Sequence, residues 1–372
     1  MLFADVIGQE QIKERLRQTV REGRISHAQL FMGPEGCGKL ALAFAYAQYL
    51  QCEARTPSDA CGKCPSCLKH AKFIHPDLHL VFPVVKTETR SPVSDDFIKE
   101  FRTAILENPY LNLNTWISSI ANENKQGGIF EAESNEIIRK ISLKSFEAEY
   151  KIMIIWMPER MNTQCANKLL KLLEEPPAKT VFILVTEDAG SLLPTVVSRC
   201  QLLKIPPVAS ADIRTALQKK GIRDPVLTEI THLANGNYLK ALIYAGQAQT
   251  DTLNFEYFTR WMRLCYKRDL VSLVPFIDEL HALGREKQKE FLSFCLRLIR
   301  ENFMLTAETK EVALMTPEEE SFSEKFHPFI NEKNIPFLSE ELSKAYFQIE
   351  NNANAKILFL SLSLQLHEWL KN

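Results

Sequence analysis

Apolar positions along the chain fall into two registers that alternate as far as residue 205, after which only one persists. Ile12, Leu16 and Val20 stand four apart among charges and predict an amphipathic helix over residues 9–22, ending at Gly23. Ala28 to Met32 reads as a short buried strand, followed by an Ala- and Leu-rich helix to about Leu50. Leu78 to Phe82 is a second strand, Lys151 to Ile155 a third, Val181 to Val185 a fourth and Gln201 to Ile205 a fifth. Between them, Ile137, Ile138 and Ile141 mark one helix. Asn162 caps another, with Ala166, Leu169, Leu170 and Leu173 on its apolar face, and Glu174-Glu175-Pro176-Pro177 stops it. Strands alternating with helices predict an α/β core, a parallel sheet covered on both faces.

Two stretches break the pattern. From about 83 to 130 Asn recurs, at 108, 112, 114, 122 and 124, and only Phe97, Phe101, Ile105 and Trp116 hint at packing. It reads as an insertion with one or two helices, by default a tolerated surface elaboration. Beyond Pro206-Pro207 the strand signals cease. Residues 211–248 read as three short helices punctuated by Gly221 and Gly236. From Asp251 onward there are only helical periods, such as Phe291, Cys295, Leu298 and Phe303, then Leu358, Leu362 and Leu366.

The first strand opens onto Gly33-x4-Gly38-Lys39, a phosphate-loop pattern whose backbone N–H groups and helix N-terminus can cradle phosphates. The next position, where a hydroxyl would hold magnesium, is Leu40. The strand Lys151 to Ile155 ends in Trp156-Met157, where a working phosphate-loop ATPase carries acids for metal and water. Glu159 follows past Pro158 and is not expected to substitute, because the strand has already turned. No ATP hydrolysis is expected, and weak nucleotide affinity at best.

Composition narrows the classes. The 372 residues, 45% hydrophobic, suffice for two or three domains with real cores. Lys and Arg total 45 against 46 acids, which offers no footprint for strong autonomous DNA binding. Met1 to Glu10 lacks an apolar signal region, and no apolar run approaches the roughly 18 residues of a membrane helix, so a cytoplasmic location is expected. Of nine cysteines, four form Cys52-x8-Cys61-x2-Cys64-x2-Cys67, a spacing that can close one tetrahedral zinc site. Four thiolates leave no open position, so the expected zinc is structural. His70 and His75 are nearby substitutes for a thiolate that the metal does not need.

Together these residues resemble the AAA+ subunits of the bacterial DNA polymerase III clamp loader. His27-Ala-x-Leu-Phe before the loop, the four-cysteine knuckle after its helix, the run from Asn167 to Pro177 and Ser198-Arg199-Cys200 carry the resemblance, over about residues 1–248. It implies an AAA+ core over 1–206, a helical lid over 207–248 and a helical collar over 251–372 through which five subunits assemble. The last matches by position and class, not by motif. Within the family a degraded nucleotide site distinguishes the delta-prime branch from the gamma/tau motor. Motors carry a lid arginine after a Gly-x-x, and in Gly236-Asn237-Tyr238-Leu239 that place is Leu239. The insertion has no counterpart in the family pattern.

The resemblance implies partners: gamma/tau motor subunits, a delta subunit, the sliding clamp, and primed DNA through the assembled complex, with no membrane. It also implies that Arg199 projects into a neighbouring motor's ATP site, where a guanidinium neutralises charge on the γ-phosphate. The plainer role is an ion pair with a local carboxylate. Two other classes stand against this reading. One is an active gamma/tau-like ATPase, disfavoured by Leu40, Trp156, Met157 and Leu239. The other is a zinc-dependent DNA-binding module, disfavoured by near-neutral charge.

Overall fold

The computed structural model describes residues 1–86, 92–121, 126–224, 226–306 and 315–371. It forms two compact units, Met1–Ala245 and Gly246–Asn372. The first unit begins with α1 (Glu10–Arg21), β1 (Ala28–Met32), α2 (Lys39–Gln51), α3 (Pro65–Ala71) and β2 (Leu78–Val81). The insertion supplies β3 (Val84–Val85), α4 (Ile98–Glu107), α5 (Leu113–Ile120) and β4 (Gly127–Gly128). Then come α6 (Glu131–Ser142), β5 (Lys151–Trp156), α7 (Thr163–Glu174), β6 (Thr180–Thr186), α8 (Pro194–Val197), β7 (Gln201–Lys204), α9 (Ser210–Lys219), α10 (Val226–Ala234) and α11 (Tyr238–Lys267).

All five expected strands form one parallel sheet in the order β2-β5-β6-β1-β7. Register is set by side-chain alternation. Ala28 and Leu30 point, with Met153, Ile155, Phe182 and Leu184, toward Ile137, Ile141, Leu169 and Leu173 of α6 and α7. Gln29 and Phe31 point the other way, to Tyr46 of α2. Every residue of α2 is buried, which is why its sequence is apolar nearly all round. This is the parallel α/β core that the alternation of strands and helices predicts.

The insertion departs from expectation. Residues 87–91 and 122–125, with Asn122 and Asn124, lie outside the described residues, and the rest is no surface elaboration. Phe101 stacks on Phe82 at 3.8 Å, and Trp116 meets both edge-on. Trp116 Nε1 donates to the Pro83 carbonyl at 2.7 Å. Phe101 then lies 5.7 Å from Trp156 at the end of β5. The few aromatics of a polar stretch are enough to seal it onto the core, since each buries a large apolar area.

The third helix beyond Pro207 also differs from the short one expected. Gly246 does not stop α11, which runs for 30 residues. A single interior glycine costs about 1 kcal/mol relative to alanine, too little to end a helix whose other positions favour it.

The second unit is all helical among the described residues: the later turns of α11, then α12 (Leu270–Ala282), α13 (Arg285–Thr306), α14 (Pro317–Phe326), α15 (Ile335–Glu350) and α16 (Ala355–Trp369). Phe258, Trp261, Phe291, Cys295, Leu298, Leu342, Phe359 and Leu366 share its core, and Trp261 Nε1 donates to Ser363 Oγ at 2.8 Å. Among the described residues no helix is long and apolar enough to cross a membrane.

Candidate functional site: a self-filled phosphate loop, an arginine and a thiolate cluster

The strand-loop-helix unit forms as its sequence requires. Gly36 and Gly38 adopt φ of +72° and +87°, a left-handed region that side chains avoid, so the turn between β1 and α2 depends on both glycines. Lys39 opens α2, but its side chain is only 7% exposed. Nζ donates to the Pro34 carbonyl and to Glu187 Oε1, each at 3.1 Å. Glu187 follows β6. The lysine's charge is therefore met inside the chain.

Other residues close over the loop. Glu35 accepts from Asn112 Nδ2 of the insertion and from Asn237 Nδ2, each at 3.0 Å. The Gly36 carbonyl accepts the Tyr238 N–H at 3.1 Å. Tyr110 lies over Gly38, with its ring 4.8 Å from that of Tyr238, and its hydroxyl accepts the Ile7 N–H at 2.8 Å. Burial pushes the Tyr110 hydroxyl up, so it stays protonated. Leu40 and Leu239, standing where a hydroxyl and an arginine would be, are both buried.

The strand has turned before Glu159, as expected, yet the residue stays near the sheet. A single turn at Pro158 folds it back onto the end of β6, where its Oε1 accepts the Glu187 N–H at 3.4 Å and burial raises its carboxyl. A second carboxylate therefore stands beside the one that pairs Lys39.

Arg199 sits between α8 and β7. Its Nε donates to Glu174 Oε1 and its NH1 to the Thr195 carbonyl, each at 2.7 Å, while NH2 also reaches Glu174. This is the local ion pair named above as its plainer role. Cys200 packs against the sheet's core. Three of the resembling motifs meet here, because His27 Nε2 bonds the Leu173 carbonyl at 3.0 Å, one residue before Glu174.

Cys52 ends α2, Cys64 caps α3, and Cys67 lies in α3's first turn. With Cys61 they bring four Sγ atoms within 4.8 Å of one another. Backbone N–H groups of Cys61, Cys64 and Cys67 point at the sulfurs of Cys52, Cys61 and Cys64, at 3.2, 3.3 and 3.4 Å. Hydrogen bonds from Lys63 and Cys64 bring the Cys61 thiol down to about 6, whereas burial pushes the Cys52 and Cys67 thiols up. His70 bonds Gln51 Oε1, and His75 Nδ1 accepts the Asp77 N–H, so neither joins the cluster. The four sulfurs can hold a metal ion.

Residues 8–209, more than half of the chain, match the family model described as "DNA polymerase III, delta subunit". The chain belongs to that family. Among curated relatives of this clamp-loader family, it is 27% identical over 227 residues to DNA polymerase III subunit delta' of Bacillus subtilis, covering 61% of this chain and 56% of that protein. It is 29% identical over 224 residues to the delta' subunit of Pseudomonas aeruginosa, covering 60% and 56%. It is also 29% identical over 291 residues to the gamma/tau subunit of Mycobacterium tuberculosis, covering 75% and 43%. The chain spans about half the length of the relatives it matches. Similarity to both kinds of subunit means that family membership alone does not separate motor from non-motor.

Tyr110, Asn112, Asn237, Glu187 and Glu174 were not singled out from sequence. Each acts through a contact distant along the chain, and a tyrosine or asparagine in a polar stretch carries no local sign of its partner.

Proposed function

We propose that this chain is a non-motor subunit of the DNA polymerase III clamp loader. It serves as an AAA+ platform that helps load the sliding clamp onto primed DNA and supplies Arg199 to the ATP site of a neighbouring motor subunit. The observation that carries this reading is the state of the phosphate loop. Lys39 is paired to Glu187, and Glu35, Gly36 and Gly38 are covered by Asn112, Tyr110, Asn237 and Tyr238. A magnesium-bound nucleotide would need the lysine free and a hydroxyl at position 40. The residues present do not fit it.

The lid over 207–248 and the collar over 251–372 belong to the same proposal, as the parts through which the chain joins its gamma/tau and delta partners. Zinc fits the thiolate cluster. A tetrahedral Zn–S bond of ≈ 2.3 Å sets sulfurs about 3.8 Å apart, close to the 4.0 Å between Cys61 and Cys67. Cys52, Cys61, Cys64 and Cys67 would hold it as a closed structural site.

Reconstitution with gamma/tau and delta subunits, followed by native mass measurement, tests ring membership. ATPase assays on the purified chain and on a complex carrying Arg199→Ala test the division of labour. Support is no turnover by the chain alone and an intact variant complex with reduced clamp- and DNA-stimulated ATPase. An arginine finger is worth on the order of 10³ to 10⁵ at its own site, and sites completed by other subunits would persist. Turnover by the chain alone would make it a motor.

A further inference from the structure

Glu174, at the end of α7, holds the guanidinium that the proposed function depends on. We propose that Glu174 is the positioning residue for Arg199, gripping the Nε side of the guanidinium so that its remaining N–H groups are presented to the neighbouring subunit. This rests on the reading that Arg199 acts in trans.

The geometry supports orientation over chance pairing. Glu174 Oε1 takes Nε at 2.7 Å and also NH2, while the Thr195 carbonyl takes NH1 at 2.7 Å. The side chain is thus held from two elements, α7 and α8. A guanidinium has five N–H donors, so these bonds leave donors for an incoming oxygen. The helix that carries the carboxylate is anchored at both ends. Asn162 caps the start of α7 by accepting the Cys165 N–H at 2.8 Å, and His27 takes the Leu173 carbonyl in its last turn. Arg199 is 31% exposed and Glu174 47%, so the pair lies at the surface, where an ion pair adds little stability. Its value is in direction: a transition-state cation contributes only where it is placed, and small misplacements cost up to about 10²-fold in rate.

The test is a double-mutant cycle in the reconstituted complex, with Glu174→Ala, Glu174→Gln, Arg199→Ala and Glu174→Ala/Arg199→Ala, each checked for assembly by native mass. Stimulated ATPase is expected to fall in Glu174→Ala, up to about 10²-fold at the one site that Arg199 completes. Glu174→Gln keeps an acceptor oxygen and is expected to recover part of the loss. The double variant should be no lower than Arg199→Ala alone, because Glu174 acts only through Arg199. Wild-type or raised activity in Glu174→Ala, beside a loss in Arg199→Ala, overturns the positioning role and leaves the finger standing. A further fall in the double variant overturns it too, by showing that Glu174 acts elsewhere. Wild-type activity in Arg199→Ala sinks the in-trans reading itself, and this inference with it.

Discussion

Lys39 donates to Glu187 Oε1 at 3.1 Å, which gives the phosphate loop's lysine a partner from the end of β6. Lys39→Ala is therefore expected to leave the ATPase of the reconstituted complex nearly unchanged, because the lysine's charge is met by Glu187 and position 40 is a leucine. Lys39 is nearly buried and its removal leaves Glu187 and Glu159 without a counter-charge, so stability should fall by about 1–3 kcal/mol. A large loss of stimulated ATPase in an intact complex would mark the loop as a working site.

Tyr110 is the keystone of the closed loop. Tyr110→Ala removes a buried ring from Gly38 and Tyr238 and strands the Ile7 N–H, at an expected cost of about 3–5 kcal/mol by chemical denaturation. Tyr110→Phe loses only the hydroxyl and should cost about 1–2 kcal/mol. Equal stability of the two variants would show that the ring does not pack as described.

Metal analysis of protein purified without chelator should find one zinc per chain. Cys64→Ser is expected to abolish it and to expose residues 52–75 to proteolysis, while the far-UV spectrum is largely kept, because the cluster lies outside the sheet. Global collapse of the spectrum would assign the metal a wider structural role.

Glu133 gives the fold a pH dependence. Burial raises its carboxyl to about 7, although it accepts the Ser94 N–H at 2.6 Å. The unfolded chain releases this proton near 4.5 and the folded chain only near 7, so the group's contribution is full below the first value and is lost as pH rises through the window. The loss is on the order of 3 kcal/mol. In denaturation midpoints at pH 5 and pH 8, Glu133→Gln should flatten the slope. An unchanged slope would assign it to other groups.

Much of the fold was legible because its signals are local. Five strands, the loop glycines, the capping Asn162 and the cysteine spacing each reveal themselves within a short window. Leu40 and Trp156 were legible as losses, since a pattern names what should stand there. What replaced those ligands was not. Tyr110 reaches Gly38 and Asn112 reaches Glu35 across more than 70 residues, and neither has a periodicity that points to a partner. The turn at Pro158 was legible, but not that it brings Glu159 against the backbone of Glu187. α11 outran its expected end near residue 248 because no stop signal stands there, and Gly246 is only a small penalty inside a favourable helix.

The packing of Trp156 leaves no room for a charge at the end of β5. Its ring is 2% exposed and meets Phe101, which in turn stacks on Phe82. Trp156→Asp puts an acid at that position. It would place an unpaired carboxylate among aromatic rings, at a cost of several kcal/mol, and unseat the segment that carries Tyr110 and Asn112. The aromatic cluster thus ties the end of β5 to the segment that covers Gly38 and Glu35, so a change at one is expected to loosen the other.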